Sequence, residues 1–262
     1  AVTNLNDSGS GSLRAALTAS GSRMVVFRVS GTINITSTIY VKSGDLTIAG
    51  ESAPGQGIQI TGSNGAWIQM QASNIIIRHL RFRGNTGSAQ SSLRFVASGA
   101  NYSDIIIDHC SFSWADPNEM AIAFEGSGTG DIPQISNVTI SNCIFGELYR
   151  GILQYKGHNN FSYYRNYFYS VYQRSPEANR PIYQNDNTLS FEAINQLWHN
   201  NYHFTLQAQL GCRVTAIGNK RTGSSGVANS GATELVDLNV GAGPSEGVPA
   251  NSYLYEDDNV NA

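Results

Sequence analysis

A short segment recurs along the whole chain and strongly restricts its possible folds. Most copies open with Asn or Asp, continue with three or four β-forming residues, and end with a polar residue, an Asn or His, and an aromatic residue. The copies are DLTIAG from Asp45, NIIIRHLRF from Asn74, DIIIDHCSF from Asp104, NVTISNCIF from Asn137, NFSYYRNYF from Asn160, INQLWHNNYHF from Ile194 and VTAIGNKR from Val214. Spacings of about twenty to thirty-five residues are typical of a solenoid. The repeat therefore predicts parallel strands stacked rung upon rung.

The composition is that of a turn-rich, all-β chain. Charged residues make up 13% of the 262 residues, against roughly 25% in an average soluble protein. Each repeat is β-branched or aromatic and is bounded by Gly, Ser, Asn or Asp, which is typical of a strand with a turn beside it. A solenoid can exceed the usual domain length because each rung packs only on its neighbours. We therefore predict one right-handed parallel β-helix domain over residues 1–262.

A polar pair recurs in five of the repeats and predicts the position of a bend. The pairs are Arg78 and His79, Asp108 and His109, Ser141 and Asn142, Arg165 and Asn166, and Asn200 and Asn201. Stacked Asn and His side chains can hydrogen-bond from rung to rung and satisfy turn backbone groups. His79 and His109 are therefore interpreted as ladder residues rather than as acid–base catalysts.

Three cysteines, Cys110, Cys143 and Cys212, are too few and too widely spaced for a metal knuckle or a disulfide framework. Cys110 and Cys143 hold equivalent places in two repeats. They are predicted to stack as apolar residues inside the solenoid, and a disulfide between them is the alternative.

The first and last rungs of a solenoid need caps that cover apolar core and strand edges. The segment from Ser12 to Ser20 predicts a short N-terminal capping helix, because Ser can cap a helix and Leu13, Ala16 and Leu17 follow at helical spacing. The Gly- and Ser-rich stretch from Gly223 to Pro249 predicts a long loop, and SYLYEDDNV predicts a final strand.

Charge and hydropathy argue against two classes of partner. The net charge is −3 and the sixteen basic residues are scattered, so nucleic acid is a poor candidate. No apolar run reaches the eighteen or so residues that span a bilayer, and the first residues lack the pattern of a signal peptide. A mature secreted form, an excised domain, or a protein exported by another route would each fit.

Several strings resemble one known family. LTIAGESAPGQGIQI from Leu46, IIIRHLRFRGN from Ile75 and IIIDHCSFSW from Ile105 are similar to pectate lyases of the polysaccharide lyase 1 type, as are NLNDSGSGSLRAAL near the start and GNKRTGSS near Asn219. The resemblance implies a β-helix, secreted or on a cell or virion surface, that cleaves an acidic polysaccharide by β-elimination. It also implies calcium (Ca²⁺) that bridges the substrate to acidic side chains.

The resemblance further implies catalytic roles for arginines. The stretch QRSPEANRP matches the family's base at Arg174 and its substrate-binding arginine at Arg180, although Arg180 comes one residue late. Arg150 in GELYRGILQ matches a lysine that neutralises the substrate, and an arginine can grip a carboxylate with two parallel hydrogen bonds. Arginine is an unusual base because it ordinarily stays protonated. Solvated or ion-paired surface arginines are the alternative interpretation.

The match to the calcium site is incomplete. A hard cation needs six to eight oxygen ligands, and the alignment places Ser91 or Ser92, Glu119 and Ala123 at three carboxylate positions. Glu119, with Asp116 as a substitute, would therefore form a reduced metal site. Asp108 belongs either to the polar bend ladder or to a metal site. Basic residues such as Arg150 are the alternative to calcium.

Three functions remain in view from the sequence. The first is a polysaccharide lyase acting on a uronate-containing, pectate-like glycan, monomeric as a secreted enzyme. The second is a non-catalytic, glycan-binding β-helix such as a tailspike-like or adhesin module, which would be trimeric. A glycoside hydrolase is disfavoured because the chain lacks clustered aspartates. Alternating tyrosines near Arg174 predict some rings inside the coil and others facing outward, where they can stack on sugars.

Overall fold

The computed structural model describes residues 1–63, 65–84, 92–115, 120–127, 133–155, 158–179, 190–202, 205–209, 212–223, 236–239 and 253–261. These residues form one α-helix, α1 (Leu13–Thr18), one turn of 3₁₀ helix (Gly50–Ser52) and 25 β-strands. None of the described helices is long and apolar enough to cross a membrane.

The strands are short and follow the repeats of the sequence. In chain order they are β1 Arg23–Val26, β2 Gly31–Ile35, β3 Ile39–Val41, β4 Leu46–Ala49, β5 Ile58–Gly62, β6 Ile68–Met70, β7 Ile75–Arg78, β8 Arg81–Arg83, β9 Leu93–Ala97, β10 Tyr102–Asp108, β11 Ser111–Ser113, β12 Met120–Gly126, β13 Ile135–Ser141, β14 Ile144–Tyr155, β15 Asn159–Tyr164, β16 Tyr167–Gln173, β17 Glu177–Asn179, β18 Ser190–Ile194, β19 Leu197–His199, β20 Leu206–Gln209, β21 Arg213–Ile217, β22 Lys220–Thr222, β23 Val236–Asn239, β24 Tyr253–Asp257 and β25 Val260–Asn261.

Each described rung contributes one strand to each of two parallel sheets, A and B, and each rung but the last also contributes one to a third, C. Sheet A contains β1, β4, β7, β10, β13, β15, β18, β21 and β24. Sheet B runs from β2 through β5, β8, β11, β14, β16, β19 and β22 to β25, and sheet C runs from β3 through β6, β9, β12, β14, β17 and β20 to β23. The strand β14 is long enough to belong to both B and C. This arrangement confirms the predicted all-β parallel β-helix.

Side chains alternate between the interior of the coil and its outer surface, as the two-residue period of a strand requires. Phe82, Phe112, Phe145 and Phe168 occupy one interior position of sheet B on successive rungs, and their ring centroids lie 4.8–5.0 Å apart. All four rings are buried. Each contributes about 2–3 kcal/mol by leaving water, so the core is a column of stacked side chains.

The bend between sheets A and B carries a left-handed residue on seven successive rungs, from the one after β7 to the one after β24. These residues, with φ between 52° and 62°, are His79, His109, Asn142, Arg165, Asn195, Gly218 and Asp258. Four of the five predicted pairs lie at this bend. Asn200 and Asn201 instead follow β19, at the bend between sheets B and C. That assignment was wrong because the copy from Ile194 begins at the end of a sheet A strand and continues through sheet B.

Inside the same bend a polar ladder replaces apolar packing on the later rungs. The Asn166 side chain accepts from the backbone N of Cys143 (2.9 Å) and donates to the carbonyl of Ile140 (2.8 Å). Gln196 and Asn219 make the corresponding bonds one and two rungs further on. The ladder satisfies buried backbone groups that the turn leaves without partners.

Cys110 and Cys143 occupy the rungs that precede this ladder. Both are buried free thiols, and Cys143 Sγ accepts from the backbone N of Cys110 at 3.4 Å. Burial raises the pKa of the Cys143 thiol, which favours the neutral form. Stacked packing is therefore confirmed, and the disulfide alternative was wrong.

The N-terminal cap agrees with its sequence signal. Ser12 Oγ accepts from the backbone N of Ala15 (3.2 Å) at the start of α1, and Leu13 and Leu17 are buried against the first rungs. At the other end, the predicted final strand is observed as β24 followed by β25. The predicted loop from Gly223 to Pro249 lies mostly outside the described residues, but it contains β23, which pairs with β20; to that extent the loop prediction was wrong.

Candidate functional site

Arg150 lies on the part of β14 that belongs to sheet C. Its Cα pairs with Met120 on the preceding rung and with Gln173 on the following rung. The guanidinium carbon lies 5.6 Å from the centre of the Tyr149 ring. Arg150 is therefore placed on a stacked, sheet-supported position rather than on a loop.

Arg174 directly follows Gln173 and has a left-handed backbone (φ 64°). Its Nη1 atom lies 3.4 Å from the Met120 sulfur. Met120 is also the register partner of Arg150, so both arginines are neighbours of one methionine, Arg150 through the backbone pairing and Arg174 through its side chain. The structure thus brings together the two arginines that the sequence predicts to be catalytic.

The turn that carries Arg174 is tied to three neighbouring groups. The backbone carbonyls of residues 174, 175 and 176 accept, in that order, from Ile152 N (2.6 Å), Trp198 Nε1 (2.7 Å) and Gln207 N (3.0 Å). Trp198 is fully buried. Because three successive peptide groups are bonded to adjacent rungs, the backbone presents Arg174 in a fixed position.

Gly151 permits the close approach of this turn. A Cβ atom at position 151 would lie 2.4 Å from the carbonyl oxygen of Arg174, well inside van der Waals contact. Only glycine fits at position 151 without moving the Arg174 turn, and the sequence alone did not reveal this steric requirement.

Glu177 is a site residue that the sequence analysis missed. It is the first residue of β17, its Oε2 atom lies 2.8 Å from Arg174 Nε, and only 4% of its surface is exposed. A carboxylate next to a guanidinium stabilises the positive charge. Glu177 is visible in the sequence as the glutamate of QRSPEANRP, three residues after Arg174. The sequence did not show that the turn between them brings the two side chains into contact.

A second ion pair crosses sheet C between β12 and β9, two and three rungs before β17. Arg94 Nη2 lies 2.5 Å from Glu125 Oε2, and the Arg94 guanidinium lies 5.2 Å from the centre of the Trp67 ring. Arg94 is the register partner of Ala123. An arginine therefore stands beside the position at which the family alignment expects a carboxylate.

The described residues do not fit a calcium ion at this face. Ala123 and its register partner Leu153 are buried apolar residues, and the carboxylate of Glu125 is already paired with Arg94. Among the described residues no group of three His, Cys, Asp or Glu side chains could hold a metal. Ser92, which precedes β9, carries no charge. The remaining predicted ligands, Glu119 and Asp116, and the alternative Ser91 lie outside the described residues, as does Arg180.

Asp108 belongs to the bend ladder between sheets A and B. It accepts from Ser141 Oγ (2.8 Å) and Asn142 Nδ2 (2.9 Å), and it lies 2.8 Å from His109 Nδ1. Burial opposes its charge, but the bonds from Asn142, His109 and Ser141 outweigh burial and lower the pKa to about 2. The His109 ring stacks on His79 at 4.9 Å. These contacts confirm the ladder interpretation of Asp108, His79 and His109.

Comparison with curated proteins finds pectate lyases. Probable pectate lyase C of Aspergillus flavus is 40% identical over 183 residues, which cover 68% of this chain and 39% of that protein. Pectate lyase plyB of Emericella nidulans is 31% identical over 186 residues, which cover 67% of this chain and 50% of the relative. The chain thus matches about two fifths to one half of the length of these relatives. No family model matches it.

Solved structures show the same fold. The major allergen from cedar pollen, jun a 1, aligns over 100% of this chain and 78% of its own, with a TM-score of 0.66 and 16% identity. A pectate lyase from Bacillus sp. N165, in complex with trigalacturonate, aligns over 94% of this chain and 84% of its own, with a TM-score of 0.58 and 17% identity. The chain is a homologue of the pectate lyases, built on their parallel β-helix.

Proposed function

We propose that the protein is a polysaccharide lyase that cleaves a uronate-containing, pectate-like glycan by β-elimination. The observation that carries the proposal is the placement of Arg150 and Arg174 beside Met120 in a pectate-lyase-like coil. The names of the relatives support the reaction class, and the trigalacturonate bound to the Bacillus enzyme supports an acidic sugar as substrate.

The reaction requires the proton on the carbon beside the C6 carboxylate to be removed. In our proposal Arg174 takes this proton, the electron pair forms the new carbon–carbon double bond, and the glycosidic oxygen leaves and is protonated by water. Arg150 and Arg180 neutralise the carboxylate, which stabilises the negative charge that develops as the proton departs.

Glu177 positions the proposed base. Its carboxylate lies 2.8 Å from Arg174 Nε and holds the guanidinium in one orientation.

We assign no step of the elimination to calcium. A calcium ion needs several oxygen ligands. Where the family places carboxylates on sheet C, this chain has Ala123, with the cation Arg94 beside it. The arginines supply the positive charge toward the substrate carboxylate in this proposal.

The organisation and location of the protein follow from the same proposal. We infer that residues 1–262 form a single β-helix domain and that the protein acts as a secreted, extracellular monomer on acidic polysaccharide. Its homologues are pectate lyases, and polymeric glycans of plant walls are met outside the cell that secretes such an enzyme.

The direct test is the ultraviolet absorbance of the unsaturated uronate product. The protein is incubated with polygalacturonate and with other polyuronates, alongside Arg174→Ala, Arg150→Ala and the control Arg28→Ala, an exposed arginine of the first rung. We expect absorbance to rise with the wild type and Arg28→Ala, and to be lost with Arg174→Ala.

A non-catalytic glycan-binding β-helix is the second candidate, favoured by the Arg174–Glu177 pair and by the apolar Ala123. It predicts glycan binding without any unsaturated product across the panel. That result would exclude the lyase. Sedimentation of the same sample would then distinguish a monomer from the trimer expected of a tailspike-like module.

A further inference from the structure

Large apolar side chains are exposed together on one outer surface of the coil. Eight of the twelve exposed large hydrophobic residues among the described ones lie on the outside of sheet B or at the bend that follows it. Seven of them, on neighbouring rungs, are here called the aromatic face: Trp114, Ile144, Tyr149, Tyr169, Tyr172, Leu197 and Tyr202. The eighth, Val260, lies apart on β25. Exposed apolar residues that cluster in this way mark an interaction surface.

A missing side chain creates a depression within the aromatic face. Ser113, Gly146, Tyr169 and His199 are register partners on four successive rungs and point outward. The Tyr169 ring stacks on His199 at 5.9 Å, with 9° between the planes. A Cβ at Gly146 would lie 3.9 Å from the Tyr169 ring, so the glycine leaves the opposite face of that ring uncovered.

The depression has the size and lining of a sugar subsite. Its volume is about 370 Å³, within the range of small-molecule sites. The lining residues are Ser113, Ile144, Gly146, Glu147, Tyr167 and Tyr169. An aromatic ring with one open face packs on the apolar side of a pyranose, and the hydroxyls around the rim of the sugar need polar partners.

Glu147 supplies that polar partner, and its negative charge favours a neutral ligand over an acidic one. It has a left-handed backbone (φ 54°), and its carboxylate accepts from the Trp114 indole. A carboxylate accepts strongly from sugar hydroxyls but repels a uronate. Arg83 lies 5.7 Å from the centre of the Trp114 ring, and its guanidinium is bonded to Ser111.

We propose that the depression at Gly146 binds a neutral oligosaccharide, with one pyranose ring on Tyr169 and its hydroxyls on Glu147 and Ser113. Gly146 and Arg150 are four residues apart on β14, at most ~13 Å along the strand, and neither Arg150 nor Arg174 lines the depression. The site is thus separate from the arginines of the proposed elimination, and it goes beyond that function. It would hold a neutral glycan beside the acidic one.

Titration calorimetry with cellotetraose, xylotetraose and galactotetraose tests the proposal, with trigalacturonate as the charged comparison. We expect at least one neutral sugar to bind. Tyr169→Ala removes the stacking ring, and Gly146→Leu fills the depression. Each variant should weaken binding at least about fivefold. The control is Tyr255→Ala, an exposed tyrosine of sheet A, which should bind as the wild type does.

Three outcomes would overturn the proposal. One is the absence of heat with all three neutral sugars, and another is binding that survives both Tyr169→Ala and Gly146→Leu. The third is self-association in sedimentation that Tyr169→Ala abolishes, because the aromatic face would then join two copies of the chain. Elimination of short oligouronates should be unchanged in both variants, so the result is independent of whether the protein proves to be a lyase.

Discussion

The Nε atom of Arg174 lies 2.8 Å from the Oε2 atom of Glu177, three residues further along the chain and across a turn whose carbonyls are bonded to the neighbouring rungs. The pair is almost wholly shielded on the Glu177 side. Its charge therefore acts on Arg174 with little screening by water.

Glu177→Gln should lower the rate of elimination. The amide keeps the shape of the side chain but removes the ion pair that holds the Arg174 guanidinium. We expect kcat on polygalacturonate to fall by about tenfold or more, because a displaced catalytic group loses its alignment with the substrate. An unchanged kcat with normal folding would show that the ion pair does not position Arg174.

Gly151→Ala should reduce activity by displacing the Arg174 turn. The new methyl carbon would lie 2.4 Å from the Arg174 carbonyl oxygen, so the turn must shift. A misplacement of about 1 Å can cost about a hundredfold in rate. Gly146→Ala on the same strand is the matched control, since its Cβ meets nothing closer than 3.8 Å. Equal activity of the two variants would show that the turn does not position the catalytic group.

Removal of calcium should leave elimination intact. The wild type is assayed on polygalacturonate with chelator and with added calcium, and we expect the two rates to agree within about twofold, because Ala123 and the Arg94–Glu125 pair provide no free carboxylate on this part of sheet C. Complete loss of rate in chelator, restored by calcium, would show that residues beyond those described here complete a metal site.

The repeats of the sequence were sufficient to predict the coil but not the partners on its surface. The strand β7 begins after Asn74, and Asp104 holds the matching place within β10; both residues adopt a left-handed backbone. Alternation along the residues that follow then decides which side chains are buried. Contacts across rungs depend on register, which the lengths of the intervening loops set. Glu177 and Gly151 act through such contacts, and neither has a signature within its own segment.

The dependence on neighbouring rungs also explains the two segments whose predictions were wrong. Asn200 and Asn201 have the polar character of the other bend pairs, but they lie one bend further along the rung. The segment around β23 is rich in Gly and Ser and predicts a loop. Its short strand forms because β20 offers an open parallel edge, which is a property of the neighbouring rung rather than of the segment.

Asp108→Asn should destabilise the fold in a pH-dependent way. The pKa of Asp108 is lowered from 3.8 to about 2 in the folded state. Its contribution is therefore full above about pH 4 and is lost as the pH falls through about 2, and it amounts to at most about 2 kcal/mol. Urea unfolding of the wild type and of Asp108→Asn should give different free energies of unfolding at neutral pH, and the difference should disappear near pH 2. Asp257→Asn, at an exposed position of the last rungs, should show a constant, small difference.

Asn166→Ala should destabilise the fold at all pH values. It removes the partners of Cys143 N and of the Ile140 carbonyl, both buried, and each unsatisfied group costs about 1–3 kcal/mol. Thermal unfolding should therefore occur at a clearly lower temperature. Asn34→Ala, at an exposed position of β2, should change stability by no more than about 0.5 kcal/mol. Equal stability of the two variants would contradict a structural role for the ladder.

The polar ladder of Asn166, Gln196 and Asn219 also governs how the chain tolerates changes in length. Each of these residues donates its side-chain amide to a carbonyl of the rung before it and its backbone N to a side-chain oxygen of the rung after it. Duplication or deletion of a complete rung keeps these hydrogen bonds between the rungs that become neighbours. A gain or loss of one residue within a strand instead moves the later side chains of that strand to the opposite face of the sheet. Whole turns of the coil are therefore the natural units in which such a protein grows or shrinks.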